Sequence, residues 1–201
     1  MLYINSDNPQ SRLIDKAVEI LRRGGIICYP TDTVYGMGCD IFNQKAVKRL
    51  HQIKGRPKQK PFSFICCDLK DVSTYCYLSN TAYRVMKKNL PGPYTFVLPT
   101  MKIVPKIMIS KQKSVGIRVP DSPICRMLVE RLGNPIATTS AGLDGHELPS
   151  SAFEVEQLFG NRVEEIIDGG DLYPLPSSVV SLVEAEPVVL REGKGDVTIF
   201  F

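Results

Sequence analysis

Pro30-Thr-Asp-Thr-Val-Tyr-Gly-Met-Gly-Cys-Asp40, followed by Lys54-Gly-Arg-Pro57, decides how this chain is read. Ile26-Ile-Cys-Tyr29, just before it, is a short apolar run of strand type, and Pro30, which has no N–H to donate, marks its end. Gly36 and Gly38 permit backbone conformations that a side chain forbids, so the segment reads as a small-residue loop after a strand. Thr31 and Thr33 place hydroxyls at that exit, where an open α/β sheet usually binds its ligand. A helix over Gln44 to Ile53, with Ala46, Val47, Leu50 and Ile53 on one face, then delivers Lys54 and Arg56 just past its end. A guanidinium forks onto phosphate oxygens while an ammonium adds a compact charge, so the pair suits a phosphate ligand. With Lys58 and Lys60 following at once, the same residues also read as a solvated basic patch.

Working outward, Arg12 to Arg23 has the apolar spacing of a helix and stops at Gly24-Gly25. Further helices are expected over Leu69 to Cys76, Asn80 to Asn89, Ser122 to Leu132 and Ser151 to Leu158. Strands are expected at Phe62 to Cys66, Tyr94 to Leu98, Val115 to Val119, Pro135 to Thr139, Val163 to Ile167, Ser178 to Leu182 and Pro187 to Leu190. Strands and helices interleave without strict β-α-β alternation. The expectation is a single α/β domain over residues 1–201, a twisted open mixed sheet with flanking helices. No internal repeat or low-complexity linker divides it.

Composition sets bounds. The 201 residues are 43% hydrophobic and 23% charged, as in an ordinary folded domain. A net charge of +4 is compatible with nucleotide or nucleic-acid partners without requiring them. The first residues lack a basic and apolar leader, and no apolar run approaches a bilayer span, so a cytoplasmic protein away from membranes is expected. Six cysteines without C-x-x-C spacing and two histidines argue against a zinc site or disulfide framework, and the thiols read as small buried hydrophobes.

Arg118 stands inside the apolar Val115-Gly-Ile-Arg-Val119, where a charge needs either solvent or an anionic ligand at the strand's C-terminal end. Ser140, after Ile136-Ala-Thr-Thr139, repeats the hydroxyl cluster of the opening loop, or serves as a turn residue. Ser177-Ser178 and Arg191-Glu-Gly193 each admit the same reading as turn residues. G-x-S-x-G, Walker A and G-x-G-x-x-G patterns are absent, which disfavours a hydrolase triad or Rossmann oxidoreduction. Catalysis, if present, would rest on positioning and on electrostatic stabilisation of phosphates.

Six segments, in order, resemble the YrdC-like proteins of the TsaC and YciO family. They are Pro30–Gly36, Lys54–Pro57, Pro91-Gly-Pro-Tyr-Thr-Phe-Val-Leu98, Gly116-Ile-Arg-Val-Pro120, Pro135-Ile-Ala-Thr-Thr-Ser-Ala141 and Val189-Leu-Arg-Glu-Gly193. The resemblance implies a twisted sheet around a basic cavity and nucleotidyltransferase chemistry, that of L-threonylcarbamoyladenylate synthase. That reaction joins L-threonine, bicarbonate and ATP, with Mg²⁺, into threonylcarbamoyl-AMP and pyrophosphate, toward modification of tRNA. By the same resemblance Thr33, Arg118, Thr138 and Ser178 lie on the threonine side. Lys54, Arg56, Ser140 and Arg191, with Ser114, lie on the nucleotide side, and Lys54, Arg56 and Ser140 carry catalysis.

Two positions depart from the synthase pattern. Where that pattern carries Ser-x-Asn after the strand ending near Ser140, this chain has Gly142. Where it carries a histidine after Asn-Pro-Leu, this chain has Ile65. The run Phe62–Asp68, with Tyr94 and Phe96, makes the YciO branch the nearer match. The other reading is a non-catalytic protein that binds double-stranded RNA or tRNA through the same cations.

Overall fold

A computed structural model describes residues 1–55, 62–143 and 145–200 of the protein. In chain order the elements are β1 (Leu2–Tyr3), α1 (Ser11–Arg22), β2 (Ile27–Tyr29), β3 (Gly36–Asp40), α2 (Gln44–Lys54) and β4 (Ser63–Ile65). Then follow α3 (Leu69–Tyr75), α4 (Asn80–Asn89), β5 (Tyr94–Pro99), β6 (Ser114–Arg118), α5 (Pro123–Leu132) and β7 (Ile136–Ser140). The last are α6 (Ala152–Phe159), β8 (Glu165–Asp168), β9 (Ser178–Ser181) and β10 (Val188–Arg191). The helices start where the sequence offers caps: Asn43, Asp68, Ser79, Ser122 and Ser151 each accept a hydrogen bond from a first-turn N–H. Gly55 and Gly133 end α2 and α5 in the left-handed conformation that costs glycine least.

All ten strands join one sheet in the order β1-β8-β2-β3-β7-β4-β6-β5-β9-β10. Four neighbouring pairs are parallel (β1 with β8, β2 with β8, β4 with β6, β5 with β9) and the other five are antiparallel, so the expected open mixed α/β sheet is present. One expectation is corrected. The small-residue segment is not loop throughout, because Gly36–Asp40 is strand β3, paired with β2 on one side and β7 on the other. Its glycines serve close approach rather than a turn. A Cβ on Gly38 would lie 2.4 Å from the Ala137 carbonyl oxygen and 2.8 Å from the Tyr29 hydroxyl. β1 at the sheet edge, only two residues long, was also absent from the sequence expectations.

Period-two alternation sorts the strand residues to two faces. Cys28, Met37, Phe64, Ala137, Ile166, Phe96 and Ile117 face the larger core with apolar residues of α2, α3, α4 and α6. Their neighbours Ile27, Tyr29, Ile65, Ile136 and Ile167 face the second core under α1 and α5. That second face is covered by helices only at one end. At the other end it carries small and hydroxyl side chains.

Candidate functional site

The uncovered end of the second face is a recess of about 170 Å³. Register explains its floor. Gly36 lies opposite Ser140 and Gly38 opposite Thr138, Thr138 lies opposite Ser63, and Gly116 opposite Val97. A Cβ on Gly116 would meet Ser63 Oγ at 2.5 Å and Thr95 Cγ2 at 3.0 Å, so glycine there lets the two hydroxyl-bearing side chains converge across β6. The recess is lined by Ser63, Thr95, Thr138, Ser140 and Ser177, with Arg118 and Arg191 as its described cations and Val34, Leu148 and Pro176 as apolar walls.

Arg118 enters neither solvent nor an unpartnered void. Its Nη2 donates to Asp32 Oδ1 at 2.6 Å, and the two side chains are 9% and 10% exposed. Asp32 Oδ2 accepts from the Asp121 N–H, and the Asp32 carbonyl accepts from Lys194 Nζ at 2.5 Å. Arg118 Nε is buried without a hydrogen-bond partner among the described residues. Arg118 lines the recess, so a guanidinium fixed by a buried carboxylate stands at its wall, an arrangement suited to an oxygen anion.

The loop that delivers Asp32 is set by Thr31, whose hydroxyl accepts from the N–H groups of Thr33 and Val34 and donates to the Val34 carbonyl. Thr33 Oγ1 lies 3.1 Å from Thr31 Oγ1, buried behind the recess, and Val34 is the residue of that loop in the lining. Thr138 Oγ1 lies 2.7 Å from the Tyr29 hydroxyl. Burial pushes the Tyr29 phenol well above its ordinary pKa, so it remains a neutral partner.

On the expected nucleotide side, Lys54 is buried at the end of α2 and donates from Nζ to the Ser140 carbonyl at 3.0 Å and to the Gly142 carbonyl. Ser140 closes β7 in the lining. Arg191 Nη2 donates to the Ser177 carbonyl at 2.7 Å and brings its guanidinium to the opposite rim. Arg56 lies outside the described residues.

Four expected residues lie outside the recess lining: Thr33 and Lys54, whose bonds are given above, and Ser178 and Ser114. Ser178 is fully buried, donates to the Gly195 carbonyl at 2.5 Å and accepts from the Gly193 N–H, so its hydroxyl ties down the C-terminal turn; its neighbour Ser177 lines the recess. Ser114 starts β6, whereas Arg118 ends it about 13 Å away at strand rise, and its Oγ lies 2.9 Å from Ser110 Oγ. Conversely, Ser63, Thr95 and Ser177 were not chosen from the sequence. The available signal was a single small polar residue in an apolar run, as in Phe62-Ser-Phe64 and Tyr94-Thr-Phe96.

Comparison with known proteins agrees with this architecture. Residues 19–193 match the Sua5/yciO/yrdC family model, described as telomere recombination. The protein YciO of Escherichia coli K12 is 45% identical over 98% of this chain and 97% of its own length. The crystal structure of E. coli YciO superposes with a TM-score of 0.95 over 100% of this chain and 98% of that one. The threonylcarbamoyl-AMP synthase of Pyrococcus abyssi is 35% identical over 88% of this chain, which spans only 53% of that protein. The structure of P. abyssi Sua5 complexed with L-threonine has a TM-score of 0.89, 33% identity, and coverage of 96% of this chain and 58% of that one. Shared sequence over nearly the whole length, and a common fold, make this chain a member of the Sua5/YciO/YrdC family.

Proposed function

We propose that this protein binds L-threonine in the recess and is a threonylcarbamoyl-AMP synthase or a close relative. The observation that carries this reading is Arg118, clamped by Asp32 at the recess wall, above a floor of hydroxyls from adjacent strands. A carboxylate accepts from the guanidinium, and the hydroxyls suit an ammonium and a β-hydroxyl. A family member that holds L-threonine adds support.

In this reading the threonine amine adds to the carbon of bicarbonate, water leaves, and a carbamate forms. A carbamate oxygen then attacks the α-phosphorus of ATP as the bond to pyrophosphate breaks. The product, threonylcarbamoyl-AMP, would feed tRNA modification. Lys54, Arg56 and Arg191 would offset charge on the departing pyrophosphate. No Asp or Glu is among the described lining residues, and no group of three or more potential metal ligands occurs among the described residues. Mg²⁺ would therefore be carried by the phosphates, neutralising them, rather than by a carboxylate cage of this chain.

The test is incubation of the pure protein with ATP, bicarbonate and labelled L-threonine, with Arg118→Ala as the control. Labelled adenylate and pyrophosphate in equal amounts are expected from the wild type alone. Failure of L-threonine to bind in calorimetry, with no product above the control, would overturn the reading.

A further inference from the structure

Gly36 and Gly38 alternate along β3, so a side chain on either would stand on the same face of the sheet. A Cβ on Gly36 would lie 3.0 Å from Tyr29 Cε2, and one on Gly38 would lie 2.8 Å from the Tyr29 hydroxyl. The Tyr29 side chain therefore crosses β3 in the space that the two missing side chains leave. Register shows where it goes: Tyr29 is opposite Gly36 on one side of β3, and Gly38 is opposite Thr138 on the other. The crossing ends with the phenol 2.7 Å from Thr138 Oγ1. Tyr29 is fully buried and outside the recess lining, whereas Thr138 is part of it. Geometry allows either oxygen to donate, and chemistry chooses between them. A phenol is a stronger acid than an alcohol, and an alcohol oxygen is the better acceptor. Burial holds the proton on Tyr29 far above neutral pH. Tyr29 then donates and Thr138 Oγ1 accepts. The Thr138 hydroxyl has no other hydrogen bond among the described residues, so its own proton is left for another acceptor.

We propose that Tyr29 is a positioning residue: by donating to Thr138 Oγ1 it makes the Thr138 hydroxyl a donor to the recess, which reads the β-hydroxyl oxygen of the amino acid and selects L-threonine over L-valine. The assignment rests on the preceding reading for the identity of the ligand, but not for the donor. In that reading Arg118 takes the carboxylate, which leaves the β-hydroxyl as the oxygen for a neutral donor to recognise. L-valine has the same shape with a methyl group in that place. A site that hydrogen-bonds a substrate hydroxyl rejects the analogue without it, because the site's own polar group is then left unpaired. Tyr29 contributes by orientation, since a hydroxyl already held from behind loses less freedom when the ligand arrives.

The experiment compares the wild type with Tyr29→Phe and with Tyr29→Phe/Thr138→Val by calorimetry, using L-threonine, L-valine and inorganic phosphate as separate probes. Tyr29→Phe keeps the ring over the two glycines and removes only the hydroxyl. The double variant removes both partners, so no buried donor is stranded. Tyr29→Phe should bind L-threonine about three- to tenfold more weakly, the worth of one neutral hydrogen bond, with L-valine unchanged. The double variant should bind the two amino acids alike. A merely structural role for Tyr29 would weaken both amino acids equally in Tyr29→Phe, and that result overturns the assignment. So does an unchanged affinity for L-threonine, or a double variant that still prefers L-threonine or binds neither. Phosphate is an acceptor that Arg118 and Thr138 can share whatever the natural ligand, and it separates the two readings. If the wild type binds neither amino acid, the preceding reading fails and phosphate decides the donor. Weaker phosphate binding by Tyr29→Phe than by the wild type then supports it, and equal or undetectable binding in both overturns it.

Discussion

Arg118 and Asp32, 86 residues apart in sequence, form an ion pair at 2.6 Å with both side chains about nine-tenths buried. The pair joins the end of β6 to the β2–β3 loop, and Lys194 fastens the C-terminal segment to the same aspartate through its carbonyl. Removing one partner leaves an uncompensated buried charge. Asp32→Ala should therefore lower unfolding stability by about 3–5 kcal/mol, read as a lower urea midpoint. It should also weaken L-threonine binding, because Asp32 is what aims Arg118. Retained threonine affinity in a folded Asp32→Ala protein would contradict that positioning role.

Ser178 offers a contrast. Its hydroxyl is engaged by Gly195 and Gly193 and lies outside the recess lining. Ser178→Ala should cost about 1–3 kcal/mol by leaving the buried Gly195 carbonyl without its donor, yet leave the threonine dissociation constant unchanged. Calorimetry alongside denaturant unfolding separates the two effects.

Glycine substitutions should divide by what the new methyl meets. At Gly38 it meets the Ala137 carbonyl oxygen, part of the sheet, at 2.4 Å, so Gly38→Ala should cost about 1–3 kcal/mol or more. At Gly142 it meets a terminal methyl of Leu148, a flexible side chain that can swing aside, at a cost of about 0.5–1.5 kcal/mol if it is forced some 30° off its rotamer. Thermal unfolding of the two variants should show the larger loss for Gly38→Ala.

Burial raises the thiol pKa of Cys39, Cys76 and Cys125 to about 12, and of Cys67 to about 11. The unfolded thiols ionise near the ordinary value of about 8.5, so above that pH the unfolded state binds fewer protons than the native state. Stability from these groups is complete below about pH 8.5 and is lost as pH rises toward 11–12, by about 1.4 kcal/mol per pH unit for each thiol that ionises only on unfolding. Unfolding midpoints measured from pH 7 to 10.5 should fall only above pH 8.5. In the native protein, alkylation at pH 8 should reach Cys67 first, since it is the one cysteine that is not fully buried.

The sequence by itself determined the helices, most strands and the family. The 3.6-residue spacing in α1 and α2 and the punctuation by Gly24-Gly25 and Pro30 are local signals, because they depend on residues within a turn or two of one another. Membership in the family was legible for a related reason, since its motifs are short runs that keep their order along the chain. Strand β3 was hidden. Gly36 and Gly38 look like turn residues until the neighbouring Tyr29 and Ala137 show that they are there to let strands and side chains approach.

The composition of the recess was decided by tertiary structure. Ser63, Thr95, Thr138 and Ser177 come from four separate parts of the chain, and only strand order and register bring them to one face. Ser178 begins β9 and turns its hydroxyl onto the C-terminal turn, while Ser177, one residue before the strand, faces the recess, a choice that only the strand's placement makes. The partner of Arg118 was likewise decided by the fold, because a buried charge accepts whichever anion the sheet delivers within 3 Å, and sequence proximity has no part in that.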